Sequence, residues 1–309
     1  MRRRESNVRF IAITLIEHLG DIVACEPVSR YVRSKEPTAK IIWLVKKEYR
    51  ELVESNPSVD LVVNVHCLTE KDYLTAWCRF DQLFDLHFFE RYCALCGEPS
   101  TRMRPKKKNS SEITLHNFYN YGNILQSMSL FAGLPPLDEP PYVYITEKVK
   151  SNIDALLLPP QCVVFHCSSN TIEKDWHREK WERLACYINA KYGYCAVEVG
   201  LQSVFGDSEN MLYRNTAGEL TILETAEVIR RAKLFIGIDS GPAHLANAVG
   251  TRGIVLLGSY LGFKKYNPFS GNYGNSKNAS LIYVEGVIDN ISVETVQQSV
   301  DAVLGIAKQ

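Results

Sequence analysis

No apolar run in this chain approaches the ~20 residues that a membrane-spanning helix needs, and neither sign of charge is in excess. Thirty-five basic residues meet 35 acidic ones, which disfavours a nucleic-acid binder with a basic footprint over its whole surface. No small-residue cleavage site follows the basic start Met1-Arg2-Arg3-Arg4-Glu5, so no signal peptide is expected. The glycine-rich dinucleotide fingerprint is missing from the first strand–helix turn, which reads Glu17-His18-Leu19-Gly20-Asp21-Ile22-Val23. A disulfide framework is also missing. The nine cysteines (25, 67, 78, 93, 96, 162, 167, 186 and 195) are odd in number and scattered through apolar runs. They predict free thiols in a reducing compartment, hence a cytoplasmic protein. Cys93-Ala94-Leu95-Cys96 has the spacing of half a zinc site. No second pair accompanies it, Cys67, Cys78 and His87 lie at no ligand spacing, and no metal is expected.

What is present is ordinary globular composition, 46% hydrophobic and 23% charged over 309 residues, enough for one large or two ordinary domains. Short, nearly continuous apolar strands alternate with helical stretches. In the first half, strands are expected at 8–15, 40–45, 61–67 and 82–89, with helices from about 21 to 36 and from 47 to 56. Residues 91–113 read as a long surface loop carrying Cys93, Cys96 and a basic run, and 118–131 as a helix. The proline-rich Leu134-Pro135-Pro136-Leu137-Asp138-Glu139-Pro140-Pro141 opens a linker region placed at 134 to about 160. Alternation then restarts, with strands at 162–166, 195–200, 234–239, 254–258 and 281–284. Helices are expected at 178–192, 221–232, 242–249 and 292–308. This pattern predicts an α/β fold of parallel sheets covered on both faces. Ligands then bind where strand C-termini and helix N-termini share an edge.

Three stretches on such edges carry chemistry. In Leu234-Phe235-Ile236-Gly237-Ile238-Asp239-Ser240-Gly241-Pro242-Ala243-His244 a buried strand runs straight into a helix. Ser240 can cap it, Gly241 admits a ligand to the backbone, and Pro242 suits the first turn. The helix N-terminus is an anion site, and His244 can donate to a phosphate oxygen. A capped helix with a buried structural histidine fits the same residues. In His166-Cys167-Ser168-Ser169-Asn170-Thr171-Ile172-Glu173-Lys174 hydroxyls and one ammonium suit a phosphate, or form a polar turn with a solvated lysine. Asp21 is either a helix cap or a general base at the strand edge.

Together these stretches resemble glycosyltransferase family 9, the family of the ADP-heptose:lipopolysaccharide heptosyltransferases. The resemblance rests on Gly20-Asp21, the helix with Pro27, Pro37-Thr38-Ala39-Lys40-Ile41, Asn56-Pro57-Ser58-Val59-Asp60 and Asp239-Ser240-Gly241-Pro242-Ala243-His244-Leu245. It covers most of the chain but is poor from about 68 to 160. It implies a GT-B architecture of two Rossmann-like domains facing a central cleft. Residues 1–155 would bind the acceptor and 156–309 the nucleotide sugar, with the last helix packing back on the first domain. It implies an inverting, metal-independent transfer with no cofactor beyond the nucleotide-sugar substrate, most readily ADP-heptose. The acceptor would be a cell-envelope glycan such as lipopolysaccharide core, reached at the inner face of a bacterial membrane. Residue by residue, it makes Asp21 the base. Ser168, Ser169 and Lys174 become diphosphate ligands, Asp239, Ser240, Gly241 and His244 the donor loop, and Leu220 a neighbour of the nucleobase. Two departures stand out: Cys167 replaces a glycine or alanine, and one extra residue separates Ser169 from Lys174.

Glu198 or Gln202 are candidates for ribose. Arg102, Arg104, Lys106, Lys107 and Lys108 form the one dense basic run, which suits either a solvated surface or an anionic acceptor or membrane. Trp176 and Trp181 are expected against the sheet, and Phe118, Tyr119 and Tyr121 in the core or a cleft wall. Two rival functions fit the same architecture: a nucleotide-sugar 2-epimerase, and a nucleotide-sugar-binding module without catalysis.

Overall fold

The computed structural model describes residues 8–88, 91–99, 113–169, 171–206, 213–259 and 266–305. They form two compact α/β units. The first is Met1–Tyr144 with Pro268–Ser270, and the second is Ile145–Asn267 with Gly271–Gln309.

The first unit carries β1 (Phe10–Thr14), α1 (Leu19–Ala24), α2 (Glu26–Lys35), β2 (Lys40–Val45), α3 (Arg50–Glu54), β3 (Leu61–Asn64), α4 (Leu68–Trp77), β4 (Gln82–Asp85) and α5 (Ile124–Phe131). Its four strands are parallel in the order β3-β2-β1-β4, with Ala12 facing both Ile42 and Leu83. Ile11, Ala12 and Ile13 are fully buried. β1 is therefore covered on both faces, which is why its apolar run does not alternate.

The second unit carries α6 (Glu147–Ala155), β5 (Cys162–His166), α7 (Arg178–Tyr192), β6 (Cys195–Glu198), β7 (Tyr213–Asn215), α8 (Ile222–Arg231), β8 (Leu234–Ile238), α9 (Gly241–Val249), β9 (Gly253–Leu257), α10 (Gly271–Gly274), β10 (Ala279–Tyr283) and α11 (Val293–Leu304). Its strands are parallel in the order β10-β9-β8-β5-β6-β7. Counted from β5 this is 6-5-4-1-2-3, the doubly wound Rossmann order. Trp176 and Trp181 are buried edge to face at 4.8 Å, and the Trp176 indole N–H donates to the Ile291 carbonyl at 2.9 Å. Phe118 stacks on Phe88 in the core of the first unit at 5.1 Å.

Several element expectations are corrected. The linker reading of 134–160 overran a helix. The first proline run ends at Pro141 and a second pair, Pro159-Pro160, follows α6; between them Thr146 accepts the Val149 N–H and caps α6, and the units divide after Tyr144 rather than at 155. The expected helix over 118–131 breaks at Gly122 (φ +101°), where Asn123 and Gln126 form a capping box for α5. The stretch 47–56 is a 3₁₀ turn at Lys47–Tyr49 followed by the short α3. β7 and α10 were not foreseen. The last helix, α11, packs on α7 and β9 in its own unit. The segment that groups with the first unit is Pro268–Ser270. Among the described residues, no helix is long and apolar enough to cross a membrane.

Candidate active site

In the second unit the strand order reverses between β5 and β8, and such a switch point opens a crevice at the strand C-termini. The loops after both strands end there. Lys174, closing the short 3₁₀ turn Ile172–Lys174, donates from Nζ to Asp239 Oδ2 at 2.8 Å. Both side chains remain about a quarter exposed, so the pair adds little stability, about 0–1 kcal/mol. Its consequence is a lysine held at the crevice with its charge partly neutralised.

Ser240 does not cap α9, contrary to expectation. Its hydroxyl lies 3.1 Å from the Ile238 carbonyl and 2.9 Å from His166 Nδ1. Donating to the carbonyl makes it the acceptor for a His166 Nδ1–H. Burial holds His166 down to about 4, so the ring is neutral at ordinary pH. The serine is engaged from behind, and the N-terminus of α9 carries no side-chain cap. That end, with Pro242 in its first turn, keeps its dipole and N–H character for an anion. His244, buried, sits on the same turn.

Ser168 donates to the Gln202 carbonyl at 3.4 Å. The Ser169 hydroxyl closes a local turn, donating to Thr171 O at 2.8 Å and accepting from Thr171 N at 3.0 Å. Leu220 is half-buried just before Thr221, which caps α8 in a box with Glu224. Glu198 is not available to a ribose. Fully buried, its carboxylate accepts from Ser203 Oγ at 2.5 Å, from Val204 N at 2.7 Å and from the Tyr213 hydroxyl. Gln202 is exposed.

The first unit has its own reversal, between β1 and β4. Asp21 lies in the first turn of α1, where it makes no side-chain cap, and its Oδ2 is 3.7 Å from Arg91 Nη2. Beside it Glu17 pairs with Lys46 at 2.6 Å. Burial raises the Glu17 pKa, but the Lys46 hydrogen bond and charge, with Arg91, outweigh it and leave the carboxyl below its usual range. His87 fixes the loop from beneath. Its Nε2 accepts the Ile16 N–H at 3.2 Å, which puts the ring proton on Nδ1 facing Asp85 Oδ1 at 2.9 Å. Asp85 also accepts from the fully buried Lys71 at 2.9 Å.

Each unit thus carries its polar residues at a strand-order reversal, an uncapped helix end with Lys174 in the second and the Asp21 carboxylate in the first. The sequence profile of glycosyltransferase family 9 (heptosyltransferase) matches residues 123–279, half of the chain. The chain belongs to glycosyltransferase family 9. It is thus a glycosyltransferase of the heptosyltransferase type. The lipopolysaccharide core heptosyltransferase OpsX of Haemophilus influenzae is 22% identical over 308 aligned residues, covering 89% of this chain and 85% of that one. Among solved structures, a family 9 glycosyltransferase from Veillonella parvula has a TM-score of 0.72 at 20% identity, over 98% of this chain and 99% of that one. The ADP-heptose lps heptosyltransferase II of E. coli has a TM-score of 0.71 at 16% identity, over 98% and 100%. These likenesses establish the GT-B type of fold, two Rossmann-like units.

Arg102, Arg104, Lys106, Lys107 and Lys108 lie outside the described residues. Reading the sequence missed Arg91, Lys46 and His166, because each reaches its partner across strands with no local signal. It also misjudged one cysteine. Cys67 stands 26 positions before Cys93, yet the fold brings the Sγ atoms of Cys67, Cys93 and Cys96 within 4.8 Å of one another.

Proposed function

We propose that this glycosyltransferase moves a heptose from ADP-heptose to a cell-envelope glycan such as the lipopolysaccharide core, by single displacement with inversion. The names of its relatives favour this donor and acceptor. The observation that carries the donor site is the uncapped N-terminus of α9 beside Lys174 at the β5/β8 switch point. The acceptor hydroxyl attacks the anomeric carbon, its proton passes to Asp21, and the bond from that carbon to the diphosphate oxygen breaks. Products are the extended glycan and ADP. Negative charge grows on the departing diphosphate. Lys174, His244 and the helix end meet it, with Ser168, Ser169 and Gly241 lining the phosphates, Asp239 addressing the sugar and Leu220 the base. One such preorganised donor is commonly worth ~3 kcal/mol, so no metal is required at the donor. A cytoplasmic setting, with the basic run from Arg102 to Lys108 against anionic acceptor or membrane, completes the reading. Reversing charge at Lys106, Lys107 and Lys108 should then raise acceptor KM or weaken vesicle binding.

The test is thermal stabilisation with ADP-, UDP-, GDP-, CMP- and dTDP-sugars, followed by product analysis. A bound ligand raises the midpoint by mass action. The expected result is a rise with ADP and ADP-heptose that Lys174→Ala abolishes. A rise with another nucleotide alone overturns the donor assignment. Epimerised sugar released without acceptor overturns the transferase assignment of this site.

A further inference from the structure

The cysteine cluster of the first unit has no part in that chemistry. Cys67 is the N-cap of α4 and takes the Glu70 N–H on its sulfur at 3.4 Å. Cys93 and Cys96 belong to a tight turn, in which Gly97 N donates to Cys93 O and Cys93 N to Glu98 O, both at 2.8 Å. Gly97 at φ +67° lets the chain double back, so that Tyr92 bridges Pro99. A Cys-x-x-Cys-Gly turn of this form aims both sulfurs at one point. Here the third sulfur, that of Cys67, joins them.

The distances select among the uses of three thiols. Cys67 Sγ and Cys96 Sγ are 3.7 Å apart. A disulfide would require ~2.0 Å. A tetrahedral ion with thiolate arms of ~2.3 Å has sulfur–sulfur edges of about 3.8 Å. The widest separation is no more than 4.8 Å, about 1 Å beyond that edge. A cation shared by three sulfurs this close offsets the repulsion that three thiolates would otherwise feel.

We propose that Cys67, Cys93 and Cys96 form a three-thiolate site for a soft divalent ion, zinc in the reduced cell, with solvent as the fourth ligand. Binding exchanges the remaining thiol protons for the ion and changes no oxidation state. The ion ties the N-terminus of α4 to the segment 91–99. It thereby fixes the backbone two residues from Arg91, whose guanidinium faces Asp21.

The whole chain, purified without chelator, should carry about one zinc by elemental mass spectrometry. After removal and refilling with Co²⁺, it should show thiolate-to-cobalt charge-transfer absorption and the intense visible bands of tetrahedral cobalt. Cys96→Ser, at an exposed position, should lose both signals while circular dichroism stays native. Cys78→Ser, also exposed but at the far end of α4, should keep them. A chain that neither carries nor takes up stoichiometric metal overturns the proposal. So do metal retained in both Cys67→Ser and Cys96→Ser, and a Cys67–Cys96 disulfide recovered in place of the ion. The readout is metal content and spectrum, so it stands or falls apart from donor and acceptor identity.

Discussion

Lys174 and Asp239 neutralise each other at 2.8 Å, and this makes their substitutions unequal. Lys174→Ala removes a cation from the diphosphate and leaves the Asp239 carboxylate facing it, so kcat/KM should fall ~10²–10³-fold. Removing Asp239 as well deletes that repulsion. The double variant should therefore lose less than the product of the single losses, as coupled neighbours do. Steady-state kinetics over the four proteins checks this, and strict additivity would mean the two do not share a ligand. Asp21→Asn has another signature. It keeps the shape but cannot take a proton, so kcat should drop ~10²–10⁴-fold while the ADP-induced thermal shift stays unchanged.

At the scale of elements, two helix starts in the second unit contrast. α8 begins with a closed capping box between Thr221 and Glu224, whereas α9 begins with a serine drawn off to His166. Thr221→Ala should cost about 1 kcal/mol of stability, read as a lower denaturation midpoint, with donor affinity unaltered. The sequence made β5, α7, β8 and α9 legible, because each pairs an apolar run with a local stop signal: Gly193 and Gly250 end α7 and α9 in the left-handed conformation. It made Asp21 and Lys174 legible as strand-edge residues. α6 was hidden by the prolines before it. Arg91 meets Asp21, His87 meets the Ile16 N–H and Cys67 meets Cys96 only once the fold has brought distant segments together, and no local pattern encodes that. Ser240 shows the converse, a good cap by type whose hydroxyl a buried histidine has taken.

For the molecule as a whole, these buried histidines set the response to acid. Burial lowers His166 from 6.5 to about 4, and burial with the charges of Lys71 and Arg91 takes His87 well below its ordinary value. Both stay neutral when folded and become protonated when unfolded. The unfolded chain thus binds more protons below pH 6.5, and stability falls as pH drops from there. For His166 the loss is complete near pH 4 and is on the order of 3 kcal/mol. Lowered carboxylates such as Glu17 and Glu227 add their loss only below about 4.5, while the raised Glu26 works the other way by holding its proton when folded. Between pH 6.5 and 5 the two buried histidines lose stability as pH falls, the lowered carboxylates have not begun to, and Glu26 opposes them. Denaturation midpoints should decline across that window, and His166→Gln should flatten the decline even though it lowers the midpoint at pH 7. Slopes must be compared rather than midpoints, since the variant also loses the bond to Ser240. A slope unchanged in His166→Gln would mean that the ring is already protonated in the folded protein across this window.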